Sequence, residues 1–153
     1  MALGPTTYKT TNIINQIGSD LTSKEGCGLK LPYGLPNQVS LATALTDFPY
    51  GVVVTGTDSL TPGTYPSAIG DAALELVDQL GCVVQVLISG NGAVVAGDEL
   101  VIDNSDADGS FTLVGNITLA AGVWIWGVAL TDADSNEQCL MRFQPYIQQY
   151  VAP

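Results

Sequence analysis

The chain has 153 residues, 46% of them hydrophobic and only 12% charged, with a formal net charge of −11. That length and apolar content are enough for one folded domain with a real core, which argues against global disorder. Four basic residues against fifteen acids cannot neutralise a phosphate backbone, so nucleic acid is not an expected partner, and no apolar run is long enough for a membrane span.

The leading "MALGPTTYKTTN" has no apolar h-region, so no signal peptide is expected there. Residues 1–46 carry three lysines against two acids, net +1, whereas residues 47–153 carry thirteen acids against Arg142 alone, net −12. The first segment is rich in Thr, Asn, Gly and Pro, and "KLPYGLPNQ" breaks both helices and strands with Pro32, Gly34 and Pro36. The expectation is an extended N-terminal arm over 1–46 that docks on a surface, followed by an acidic, solvated body over 47–153.

From about residue 39 the chain reads as β. "VSLATAL" (39–45) alternates apolar and small residues, and "YGVVVTGT" (50–57) is a β-branched run bounded by Pro49 and Gly56. Residues 58–71, with Pro62-Gly63 and Pro66, read as a loop. "AALELVDQL" (72–80) is divided between helical and strand spacing, and the strand is favoured because no cap is convincing. "CVVQVLIS" (82–89) is a buried strand, and Asn91-Gly92 after it predicts a hairpin returning through 93–103 with a bend at Gly97. "SFTLVG" (110–115), "VWIWGVALT" (123–131) and "QCLMRFQPYI" (138–147) complete the set, with Pro145 at a sheet edge. Alternation puts Trp124, Trp126, Val128 and Leu130 on one face of their strand, where the Trp pair either fills the core or forms an anchor patch. Short strands about ten residues apart predict an all-β fold, a compact antiparallel β-barrel or sandwich.

The chemistry-bearing stretches resolve mostly into turns. "NSDADG" spaces Asn104, Asp106 and Asp108 as an EF-hand does. The twelfth position, which needs a bidentate Glu, is Gly115, and the flanks are β, so no metal ligand is assigned. The simpler reading is an Asx turn with Gly109 at positive φ and a solvated acidic rim of Asp98, Glu99, Asp103, Asp106 and Asp108. The chain contains no histidine, which removes Ser-His and Cys-His nucleophiles and His-ligated zinc. Asp132 and Asp134 could share a face for acid-base hydrolysis but lie in a turn. "SGNGAVVAG" lacks the spacing, lysine and helix of a phosphate loop. "AGDEL" (96–100) has Glu99 where trimeric dUTPases carry Asp, and the arginines of their nucleotide motifs are missing. Cys27, Cys82 and Cys139 form neither a CxxC pair nor a disulfide framework; the last two lie in apolar runs as small core residues. No catalytic residue and no cofactor is expected.

Sparse surface charge favours contact with other subunits. In "VVAGDELVID…DGSFTLV" (94–114) and "AAGVWIWGVALTDADSNEQCLMRFQP" (120–145) the chain resembles the capsid decoration, or cement, proteins of tailed bacteriophages, and "FPYGVVVTGTDS" (48–59) is similar in character. The resemblance implies a non-enzymatic virion protein, made in the host cytoplasm and carried on the outer surface of the capsid. There a homotrimer would bridge copies of the major capsid protein and stabilise the expanded shell. In such a role the expected contacts are residues 1–24 of the arm, with Tyr8 and Lys9 foremost, Phe143, Tyr146 and Tyr150 of the tail, and Trp124 and Trp126 where they form the anchor patch. A tail, fibre or connector protein is the alternative virion role, and a small acidic-site hydrolase is a remote one.

Overall fold

The computed structural model describes residues 11–12, 16–34, 38–54, 75–118 and 120–148. They form two sheets packed face to face. The first has strand order β1-β6-β5-β3-β4-β2, built from β1 (Thr11–Asn12), β2 (Gln16–Ile17), β3 (Gly28–Lys30), β4 (Gln38–Leu41), β5 (Gly51–Val53) and β6 (Glu75–Val77). All its pairs are antiparallel except β2 with β4. The second is antiparallel, in the order β7-β11-β10-β8-β9, from β7 (Val83–Leu87), β8 (Glu99–Ile102), β9 (Phe111–Leu113), β10 (Trp124–Ala129) and β11 (Gln138–Ile147). One parallel bridge, Ile88 to Phe111, ties its two edge strands at one end. This curls the sheet without closing a barrel, so the all-β expectation resolves to a sandwich.

Strand register follows burial. In β11, Cys139, Met141 and Phe143 point inward, and the first two pair with Val86 and Val84 of β7. A slip of one residue would turn this apolar set to solvent. With Ile102, Leu100, Phe111 and Trp126 they meet Ala42, Val52 and Val77 of the other layer in the main core. Trp126 is fully buried between Phe111 and Phe143, edge-to-face at 5.4 and 6.4 Å. Gly28 of β3 lets the sheets close over this indole, since a Cβ there would lie 2.9 Å from the Trp126 ring and 2.7 Å from Ile102.

Residues 16–46, expected as part of the arm, contribute β2, β3 and β4 to the first sheet. Ile17, Leu21, Cys27, Leu29, Val39 and Leu41 are buried together with Val53 in a second cluster. Each such aliphatic side chain contributes roughly 1.5–3 kcal/mol on burial, which is why this polar-looking segment packs. Residue 46 is not a packing boundary. Lys30 pairs with Asp47 at 2.9 Å, and Trp124 N–H donates to the Leu45 carbonyl.

Three other expectations are corrected. Asn91-Gly92 does not close a hairpin, because β11 and β10 lie between β7 and β8; the chain leaves β7 at one edge of the sheet and re-enters the same sheet at β8, next to the other edge. Trp124 and Trp126 both pack on the main core, as alternation predicts, but that face does not continue to Val128, which pairs with Arg142 and Glu99. The β10–β11 register steps from Ile125–Tyr146 to Gly127–Phe143, so β11 carries one extra residue at Gln144–Pro145. That irregularity leaves both Trp126 and Ala129 in the main core, and it gives Pro145 a place where the ladder is interrupted. Asp103 is not part of a solvated rim, being 2% exposed. The 72–80 segment does contain a strand, β6; the predicted 58–71 loop lies outside the described residues.

Candidate functional site

Three surface regions collect the polar and aromatic side chains that could act on a partner. The first is a corner beside the loop joining β8 and β9. Asp103 follows β8, and its Oδ1 accepts the Ser105 N–H at 2.9 Å and the Ser105 hydroxyl at 2.6 Å. Asn91 Nδ2 donates to Asp103 Oδ2 and to Ser105 Oγ. Burial raises the Asp103 pKa, but hydrogen bonds from Ser105, Ser89 and Asn91 outweigh it and hold the carboxyl below its usual range. Asp108 Oδ1 likewise accepts the Ser110 N–H at 2.9 Å, and Gly109 has φ +83°. The acidic loop is therefore a pair of Asx turns, as its composition predicts. Among the described residues no group of three acids or cysteines is placed to hold a metal ion. Asn116 Nδ2 joins the corner through the Asn91 carbonyl and Thr112 Oγ1, both at 3.1 Å. These side chains, with Leu45, Asn104, Ile117 and Thr118, line an open cleft of about 540 Å³.

The second region is a shallower cleft of about 320 Å³ with Asp132, Asp134 and Glu137 on its wall. Asp132 Oδ1 accepts the Ala96 N–H at 2.9 Å, and Asp98 Oδ2 accepts the Val95 N–H at 2.8 Å. Both carboxylates brace the Ala96-Gly97 turn.

The third is an aromatic rim where β10 starts and β11 ends. Phe48, more than half exposed, stands edge-on to half-buried Trp124 with centroids 5.1 Å apart. Ile147, also exposed, is the direct cross-strand partner of Trp124. One position on, Tyr146 pairs with Ile125 and donates its hydroxyl to Glu99 Oε1. Burial, then the Glu99 carboxylate, pushes that phenol up to about 12.

Of the sequence-derived contact residues, Trp124 and Tyr146 both reach the surface here, but on opposite faces of their sheet, since their cross-strand partners are Ile147 and Ile125. Trp126 and Phe143 do not: each is at most 1% exposed and has no surface to offer a partner, because both point into the main core from their strands. Tyr8, Lys9 and Tyr150 lie outside the described residues. Sequence reasoning passed over Phe48 and Ile147. The only available signal was an aromatic before Pro49 and an aliphatic ending a strand, and neither declares itself without the pairing that joins them. A scan against protein-family models matches none, and a search of curated proteins finds no relative.

Proposed function

We propose that this protein is a capsid decoration protein that acts as a homotrimer on the outer surface of a phage head, bridging copies of the major capsid protein and stabilising the expanded shell. One observation carries the reading. The two stretches that resemble decoration proteins, 94–114 and 120–145, are contiguous in space as β11-β10-β8-β9, four neighbouring strands of one sheet, so the likeness covers a structural unit and not scattered turns. The acidic body suits a position outside the shell, away from packaged DNA. Phe48, Trp124 and Ile147, joined by a ring contact and a cross-strand pair, offer exposed apolar surface of the kind found at the centre of a protein contact. Stabilisation would follow mass action: a ligand that binds only the expanded shell lowers its free energy, and three linked contacts add avidity.

The test is addition of purified protein to expanded heads that lack it. Saturable binding with a rise in head melting temperature is expected. Failure to bind such heads while the protein remains folded overturns the proposal, and labelling of tails in electron micrographs would reassign it to the tail.

A further inference from the structure

Asn91-Gly92 is the sole Asn-Gly pair in the chain, and it closes no hairpin. We propose that Asn91 is a site of spontaneous covalent modification, whose conversion to aspartate or isoaspartate releases the loop after β8. An asparagine followed by glycine is prone to this reaction because no side chain shields the next backbone nitrogen. That nitrogen, on Gly92, attacks Asn91 Cγ. The N–Cγ bond forms, the Cγ–Nδ2 bond breaks, and ammonia leaves with the amide proton. Water from solvent then opens the cyclic imide at either carbonyl, giving aspartate or isoaspartate.

The surroundings give the reaction a consequence. Asn91 is exposed to the water it needs, while its Nδ2 is the donor to both Asp103 Oδ2 and Ser105 Oγ. Its carbonyl accepts from Asn116, and its N–H donates to Ser89 Oγ at 3.3 Å. Replacing the amide by a carboxylate removes that donor and sets a second anion against the buried Asp103, an arrangement in which like charges repel strongly. The Asx turn that Asp103 makes with Ser105 loses its brace, and the cleft wall formed by Asn91, Asp103 and Ser105 opens. A protein that must persist for long periods outside a cell would carry here a chemical clock on one loop. The chemistry does not depend on the capsid reading.

The experiment is prolonged incubation of the folded chain at neutral pH, followed by peptide mass spectrometry and by amide hydrogen exchange at Ser105. The expected result is the mass gain of amide-to-acid conversion at residue 91 ahead of every other asparagine. N91D should show Ser105 exchange about tenfold faster than the unmodified chain. N91D/D103N, which exchanges the two groups and restores one amide facing one carboxylate, should return exchange toward the original rate. No conversion at residue 91 in the folded chain, while a peptide of the same sequence converts, overturns the modification site. Unchanged Ser105 exchange in N91D overturns its effect on the loop.

Discussion

At the scale of the residue, burial separates side chains that look alike in sequence. Trp124 and Trp126 differ by two positions, yet one lies on a rim and the other is enclosed. Trp126→Ala should cost about 3–5 kcal/mol of unfolding free energy, read from urea midpoints, and Trp124→Ala roughly 1–2 kcal/mol. Equal losses would contradict the placement. Trp126 also buries its indole N–H without a hydrogen-bond partner among the described residues, so aromatic packing outweighs an unpaired donor at this point. The cysteines divide in the same way. Burial pushes the Cys27 and Cys139 thiols up to about 12, where almost no thiolate exists to react. A maleimide should therefore modify Cys82 in the native protein and reach the other two only after denaturation. Asp103 supplies the pH dependence. Its folded pKa lies below the unfolded one, so its contribution is fully present above about pH 4 and is lost as pH falls through the lower folded value. Denaturant titrations from about pH 6 down to pH 2 should show a shallower acid decline for Asp103→Asn; an unchanged decline would mean that the corner contributes nothing.

At the scale of the element, two glycines and one carboxylate decide how the strands meet. A Cβ on Gly127 would lie 2.1 Å from the Arg142 carbonyl oxygen, within the β10–β11 pair itself. Gly127→Ala should force those strands apart at a cost of at least about 2 kcal/mol. Gly28→Ala should cost about 1–3 kcal/mol, because it presses on the Trp126 ring and the Ile102 side chain, which can yield in part. Thermal unfolding of the two variants ranks them, and the reverse order would sink this account. Asp47 Oδ2 gathers the Lys30 ammonium, the Thr43 N–H and the Ala44 N–H at 2.8–2.9 Å. It thereby fixes the segment whose Leu45 covers Val101, Val123 and Ile125 on the far face of the second sheet.

At the scale of the whole molecule, the charge asymmetry of the sequence does not mark a structural division. The lysine-bearing segment from residue 16 onward is woven into the first sheet, and only residues 1–10 precede β1. Among the described residues, the three apolar clusters draw on positions from Ile17 to Phe143. Deletion of residues 1–10, which removes Tyr8 and Lys9, should shift the melting temperature of the isolated protein by less than about 4 °C. If the arm reading is right, the same deletion should reduce binding to expanded heads. A large loss of melting temperature would show that these residues belong to the fold. No described helix is long and apolar enough to cross a membrane.

Much of this was legible in the residues alone. The runs at 83–87, 124–129 and 138–147 are β-branched or apolar at alternate positions, and burial of one face requires a strand wherever that pattern occurs. The Asx turns of the acidic loop were equally plain, because Asp, Ser and Gly satisfy local N–H groups without help from elsewhere. Which strands become neighbours was not legible. Asn91-Gly92 has the local chemistry of a hairpin, but the apolar face of β7 matches Cys139 and Met141 more than fifty residues away, and that burial outweighs a turn preference. The same holds for the rim and for the corner. Phe48 meets Trp124, and Asn91 meets Asp103, only once two distant segments are packed. Local propensity is set by each residue and its near neighbours, so the strands of the second sheet and the turns of the acidic loop could be read from the chain, whereas the short strands β1, β2 and β3 carry too little periodicity to be read. Register, partner choice and the burial of Asp103 and Trp126 depend on contacts between segments far apart in the chain, which exist only once the two sheets have packed.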